Sequence, residues 1–265
     1  MKPLLFLVFL ADKRSIAHAI VHRAKRARPG MSHAASSDMS VAPPRRAHTA
    51  VPDAPGAQAF LPERHTLPAL RAAVATCRGC SLYQHATQAV FGEGEVRARI
   101  MMIGEQPGDS EDLAGKPFVG PAGRVLDAGL ASAGIPRDEV YVTNVVKHFK
   151  FTRRGKRRIH DKPTQYEIAA CRPWLTSELA LIAPQIVVVL GATAAQTLLG
   201  RAFRVTRERG VVRATPLAPH TFATVHPASV LRAPDEAQRE QAREAFFADL
   251  RIVGECYRRV HHGSD

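Results

Sequence analysis

The stretch IVVVLGATAAQTLL, residues 186–199, decides how the rest of the chain is read. Ile186 to Leu190 is an unbroken apolar, β-branched run of strand length, and Ala192 to Leu199 has the pattern of a helix. An unbroken apolar strand suits a sheet buried on both faces. Working outward, the same alternation recurs. Toward the N-terminus, RIMMIG (99–104) predicts a buried strand, GPAGRVLDAGLASA (120–133) a helix with Pro121 near its start, and 139–143 another strand. Residues 164–183 predict a long amphipathic helix, with Thr164 and Glu167 spaced as a capping box. Pro173 is expected to kink or interrupt it. Toward the C-terminus come a strand at 221–225 and a closing helix at 237–253, while 67–74 predicts a short leading helix. Strands alternating with helices imply a mainly parallel sheet covered on both sides, a three-layer α/β/α sandwich.

In such a sheet, ligands sit beyond the carboxyl ends of the strands. Three polar motifs fall there: Glu105-Gln106 after the first strand, Asn144 after the second, and His226 after the last. The first opens GEQPG, a Gly- and Pro-rich loop that also carries Asp109, Asp112 and Phe118. It contains no nucleotide-binding fingerprint. Phe118 is a candidate stacking face, although a core position is the commoner fate of an aromatic. His226 opens HPASVLR, in which a histidine can donate to an oxygen gaining negative charge. Ser229 and Arg232 are candidates to hold phosphates.

Between Asn144 and Cys171 lies NVVKHFKFTRRGKRRIHDKPTQYEIAAC. Its Lys147, Lys150, Arg153, Arg154, Lys156, Arg157, Arg158 and Lys162 meet no acid before Asp161. Unpaired charges of this density are expected to face water or a polyanion rather than a core. His160, embedded among them, is the one side chain there able to act as a nucleophile or base at neutral pH. A solvated basic loop without further role is the plain alternative.

The 265-residue chain carries 37 basic and 24 acidic residues, a net charge of +13. Residues 1–60 hold nine basic and three acidic side chains, so the excess persists in the remainder and points to a polyanionic partner such as nucleic acid. Residues 1–65, rich in Ala, Pro, Arg, His and Ser, read as a disordered basic extension. Residues 66–265 read as one folded domain. The opening PLLFLVFLA has the length of a signal-peptide core but lacks a cleavage pattern; Met31 or Met39 reads as the better start. No stretch is long enough to span a bilayer, and a cytoplasmic, nucleoid-associated monomer is expected.

Of the four cysteines, Cys77 and Cys80 form a CxxC pair, which points to metal or redox chemistry in a reducing compartment. With Cys171 they read as three ligands of one site, suited to zinc or an iron–sulfur cluster. His148 or Cys256 is left to supply the fourth.

Taken in order, GEQPG, GKPFVGPAG, VTNVVKHFK, ACRPWL, VVVLGATAA and HPASVLR resemble the family 4 branch of the uracil-DNA glycosylase superfamily, over about residues 70–253. The inserted KRRIH, with His148 after NVVK, resembles the UdgX type within that branch. The resemblance implies an α/β/α sandwich holding a [4Fe–4S] cluster on Cys77, Cys80, His148 and Cys171. It implies that Phe118 stacks on uracil, Asn144 reads the base edge, and His226 stabilises the departing base. It further implies that His160 becomes joined covalently to DNA after excision. The last motif more often reads HPSS; Ala228 is a departure that puts one phosphate or backbone contact in doubt.

The chemistry of these residues agrees with that reading. Stacking plus one amide, which both donates and accepts, can tell uracil from cytosine. The base must come from a single strand or be flipped from a duplex. His160 is expected to be kept neutral by the surrounding cations, with Glu105 orienting it and taking its proton. The catalytic set expected is therefore His160, Glu105, His226 and Gln106. Phe118, Asn144, Asp109, Arg158, Ser229 and Arg232 are expected to bind uracil-containing, preferably single-stranded DNA. The rivals are a family 4 glycosylase that turns over by water attack, and a metal-stabilised nucleic-acid-binding module without catalysis.

Overall fold

The structure is a computed structural model in which residues 55–262 are described; residues 1–54, with the alternative starts, lie outside them. Helix α1 (Leu67–Val74) leads to β1 (Ile100–Gly104), α2 (Asp109–Ala114), α3 (Pro121–Ser132) and β2 (Val140–Asn144). A hairpin follows, β3 (Phe151–Arg154) and β4 (Arg157–His160). After it come α4 (Gln165–Ile182), β5 (Ile186–Leu190), α5 (Ala192–Leu198), α6 (Val205–Glu208), β6 (Arg213–Thr215), β7 (Ala218–Thr224), α7 (Ala228–Leu231) and α8 (Glu236–His262).

The central sheet has the order β2-β1-β5-β7-β6. All its pairings are parallel except that of the edge strand β6 with β7. Because side chains alternate along a strand, β1 and β5 feed two cores. Met101, Ile103, Val187 and Val189 pack on one face with Leu70, Trp174 and Leu175 from α1 and α4. Ile100, Met102, Ile186 and Val188 pack on the other with Leu126, Leu130, Phe246 and Leu250 from α3 and α8. The three layers expected from the alternation are present.

Several local expectations change. Helix α4 runs through Pro173 without interruption, between the reciprocal Thr164–Glu167 cap and a left-handed Ala183. Ile168 and Cys171 before the proline and Trp174, Leu175 and Ile182 after it are buried in one core, so packing outweighs one lost backbone bond. Helix α8 extends nine residues past the predicted end. The expected loop after β2 is an antiparallel hairpin with Gly155 in the left-handed region at its turn (φ 58°). Residues 57–60, assigned from sequence to the extension, form a 3-10 turn with Ala57 buried. Gly79 makes that possible, since a Cβ there would sit 2.6 Å from the Ala57 nitrogen.

The largest correction concerns the basic stretch. Lys147 and Lys150 are buried, paired with Glu178 at 2.5 Å and Glu167 at 2.9 Å. Both acids come from α4, so their pairing could not be seen in the local sequence. Arg153, Arg154, Lys156, Arg157 and Lys162 remain exposed as expected.

Candidate functional site

The parallel strands end where the site begins. Asn144 closes β2 opposite Gly104, and the ladder continues through Val145 N–H to Gly104 O and Val146 N–H to Glu105 O. Gly104 has to be glycine: a Cβ would lie 2.4 Å from Asn144 Oδ1 and 3.0 Å from Phe118 Cζ. The amide of Asn144 and the ring of Phe118 therefore converge over a bare backbone. Asn144 Oδ1 is buried without a hydrogen-bond partner, a costly state unless a ligand donor meets it.

Phe118 adopts a positive φ of 56°, rare for a residue with a side chain. Glu111 holds the loop in place, its two carboxylate oxygens accepting from Gly108 N–H and Gly120 N–H. Nothing in the sequence marked Glu111 for this role. The Phe118 ring stacks near His226, with centroids 6.0 Å apart and planes 26° from parallel.

His226 Nδ1 accepts from the Ala228 backbone N–H at 3.2 Å. Burial, then Arg232 and His160, push its pKa down to about 4. The ring is thus neutral, with its proton on Nε2 free to donate. The contact uses only the backbone of Ala228, so the departure from HPSS leaves it intact. Ser229 Oγ donates to the His226 carbonyl at 2.7 Å, which braces the motif. Arg232 is exposed, and its charge acts on both histidines.

His160 stands at the end of β4, its Nε2 3.6 Å from Glu105 Oε1. That is beyond hydrogen-bond distance, and Glu105 Oε1 is buried without a partner. Burial is the first cause lowering the His160 pKa; Arg232 and Lys162 lower it further, opposed by Glu105 and Asp161. The exposed hairpin arginines invoked from sequence are not among the causes. With 47% of its side-chain surface exposed, the ring is still reachable from outside.

Gln106 and Arg158 serve the hairpin. The Gln106 amide donates to the Lys150 and Asp161 carbonyls and accepts from Lys150 N–H, closing the hairpin's base. Arg158, only 12% exposed, donates to Asp109 at 2.5 Å and to the fully buried Asp112 at 2.6 Å. It also lies over the Phe149 and Phe151 rings. Asp109 and Arg158, expected on the substrate, are engaged with each other.

The three cysteines share one core. Cys77 Sγ accepts from Trp174 Nε1 and Cys171 Sγ from Lys147 N–H, each at 3.3 Å, and Cys80 from the Leu82 backbone. Their charges act on one another, and burial pushes Cys80 up to about 11 and Cys171 up to about 12. Among the described residues, no group of three His, Cys, Asp or Glu side chains is closed around a point where a single ion would sit. Cys256 lies in the opposite core, across the sheet. His148 is buried, with Asp112 the charge that acts on it and burial holding it near 4.

Fold and site together define an α/β/α sandwich in which Asn144, with its unpaired amide oxygen, and a neutral His226 stand at the ends of parallel strands, beside the Phe118 ring from a loop and His160 from the hairpin. No described helix is long and apolar enough to cross a membrane. The uracil DNA glycosylase superfamily profile matches residues 91–251, and the chain belongs to that superfamily. It is 35% identical over 196 residues to the type-4 uracil-DNA glycosylase of Archaeoglobus fulgidus, covering 69% of this chain and 88% of that one. It is 38% identical over 160 residues to the Thermotoga maritima type-4 enzyme, covering 60% and 80%. The Pyrobaculum aerophilum type-4 enzyme is 36% identical over 168 residues, covering 61% and 82%.

Proposed function

We propose that this chain excises uracil from DNA, preferably single-stranded, and then captures the resulting sugar covalently through His160. The observation that carries the reading is the pair of buried, unpartnered oxygens, Asn144 Oδ1 and Glu105 Oε1, at the two stations the reaction needs. A uracil base stacked on Phe118 presents its N3–H to Asn144 Oδ1. As the glycosidic bond breaks, the electron pair leaves with the base, and His226 Nε2–H donates to the oxygen that gains charge. The sugar is left as an electron-poor cation. One ring nitrogen of neutral His160 gives its lone pair to the anomeric carbon, and the proton on the other passes to Glu105. The product is an N-alkyl imidazole without an easy hydrolytic exit.

Arg232 at the mouth and the exposed hairpin cations suit the phosphate backbone. Leu231, 40% exposed beside Arg232, suits a wedge at a base step. For the implied [4Fe–4S] cluster, the donor set fits: three thiols in one core, each receiving an N–H that would stabilise a thiolate. Cys77, Cys80, Cys171 and, by its place after Lys147, His148 would hold it. The cluster would supply cross-linking of α4 to the N-terminal segment.

The test is a denaturing gel of the protein mixed with uracil-containing single-stranded DNA. A band of protein–DNA size together with released uracil is expected. Repeated uracil release with no such band means a glycosylase that turns over by water attack, and neither product means a binding module.

A further inference from the structure

Lys147 has no solvent exposure, and nothing in the reaction above uses it. Its ammonium donates to Glu178 Oε2 at 2.5 Å, Thr143 Oγ1 at 2.6 Å and the Asn144 carbonyl at 2.8 Å, so all three protons are placed. Glu178, equally buried, also accepts from Tyr141 Oη and Gly92 N–H, both at 3.0 Å. A well-packed apolar pair can stabilise a core as well as a buried ion pair does. Core stability alone therefore does not account for it.

Its contacts supply a reason. The ammonium grips the main chain of Asn144, whose side-chain oxygen waits unpartnered beside Phe118. Residue 147 is itself fixed at both backbone atoms: its N–H meets Cys171 Sγ, and its carbonyl accepts from Val90 N–H at 2.7 Å. We infer that Lys147, held by Glu178, is a positioning residue for Asn144, fixing the peptide after β2 and hence the direction of the amide. Because Lys147 is anchored at the cysteine core, that core and the base-reading amide are parts of one rigid unit. The inference rests on the proposed role of Asn144 at the base edge. What the pair sets is the preference for uracil over cytosine, since only a fixed amide can oppose the wrong donor pattern.

The test is equilibrium binding of two single-stranded oligonucleotides, one with 2′-fluoro-2′-deoxyuridine and one with 2′-fluoro-2′-deoxycytidine, whose glycosidic bonds resist cleavage. The variant is Lys147→Met combined with Glu178→Gln, which removes both charges together and keeps an acceptor for Tyr141 and Gly92. It should fold and hold the wild-type metal content, while its uracil preference shrinks on the order of 10- to 100-fold. A folded variant with unchanged preference overturns the inference. Should it fail to fold, Thr143→Val removes one Lys147 contact without stranding a charge, and an unchanged preference there overturns it equally. A wild-type protein with no preference sinks the base-reading role itself, and this inference with it.

Discussion

At the scale of single residues, the proposed reaction assigns excision and capture to different histidines. His226 is fixed in its neutral form by one backbone N–H, whereas His160 makes no hydrogen bond to Glu105 and is held by its strand and by the Phe149 ring, 6.1 Å away between centroids. His160→Ser should therefore still release uracil and leave a free abasic site, with no adduct on a denaturing gel. His226→Ala should slow release itself by about 10²- to 10³-fold, the loss typical of one oxyanion-type donor. Any adduct formed by His160→Ser would mean the nucleophile is another residue. The pH dependence follows from the same environment. Burial lowers the His160 pKa below its ordinary 6.5, and in the proposed reaction the neutral ring is the reactive form. Adduct formation should hold level from alkaline pH through neutrality and decline only in acid, below the usual imidazole range; a decline centred at or above 6.5 would contradict this.

At the scale of elements, the hairpin is where charge and geometry separate. Cross-strand neighbours Arg154 and Arg157 share one face, and Arg153 opposes Arg158 on the other. Like charges directly opposite destabilise a strand pair. On the inner face Asp109, Asp112 and the Phe149 and Phe151 rings offset this for Arg158. On the outer face a phosphate chain would do so. Lys156→Ala and Arg157→Ala should each flatten the salt dependence of single-stranded DNA binding by about 0.7 in log–log slope. Arg158→Ala should leave that slope alone and lower the fraction of excised sites that are captured, because β4 and His160 lose their anchor. A slope change with Arg158→Ala as large as with Arg157→Ala would return Arg158 to the DNA backbone.

For the whole molecule, the question is what joins the N-terminal segment to the sandwich. Cys77 and Cys80 lie just after α1, and Cys171 lies in α4. If they hold a four-iron cluster, the purified protein should be brown, with about four irons per chain. Cys171→Ser should lose the colour and melt at a lower temperature, and Cys256→Ser should keep it, since Cys256 faces the other core. Colourless protein with one zinc per chain, or bleaching by Cys256→Ser, would defeat the assignment.

The sequence by itself determined the layered fold, the order of the central elements and the three strand ends where polar residues gather. Those depend on periodicity and turn chemistry, which are local properties. It also marked Asn144 and His226 at those ends, Phe118 on the Gly- and Pro-rich loop and His160 within the basic run, as residue types able to carry chemistry. What only the tertiary structure decided is which charges meet. Lys147, Lys150 and Arg158 look identical to Arg154 and Arg157 in a basic run, but Glu178, Glu167, Asp112 and Asp109 lie 17 to 49 positions away. The same holds for Gln106, whose amide closes a hairpin 44 and 55 residues downstream. It holds also for Cys256, whose side of the sheet follows from the packing of α8. Local sequence sets backbone habit and polarity; desolvation and pairing are settled between segments that only folding brings together.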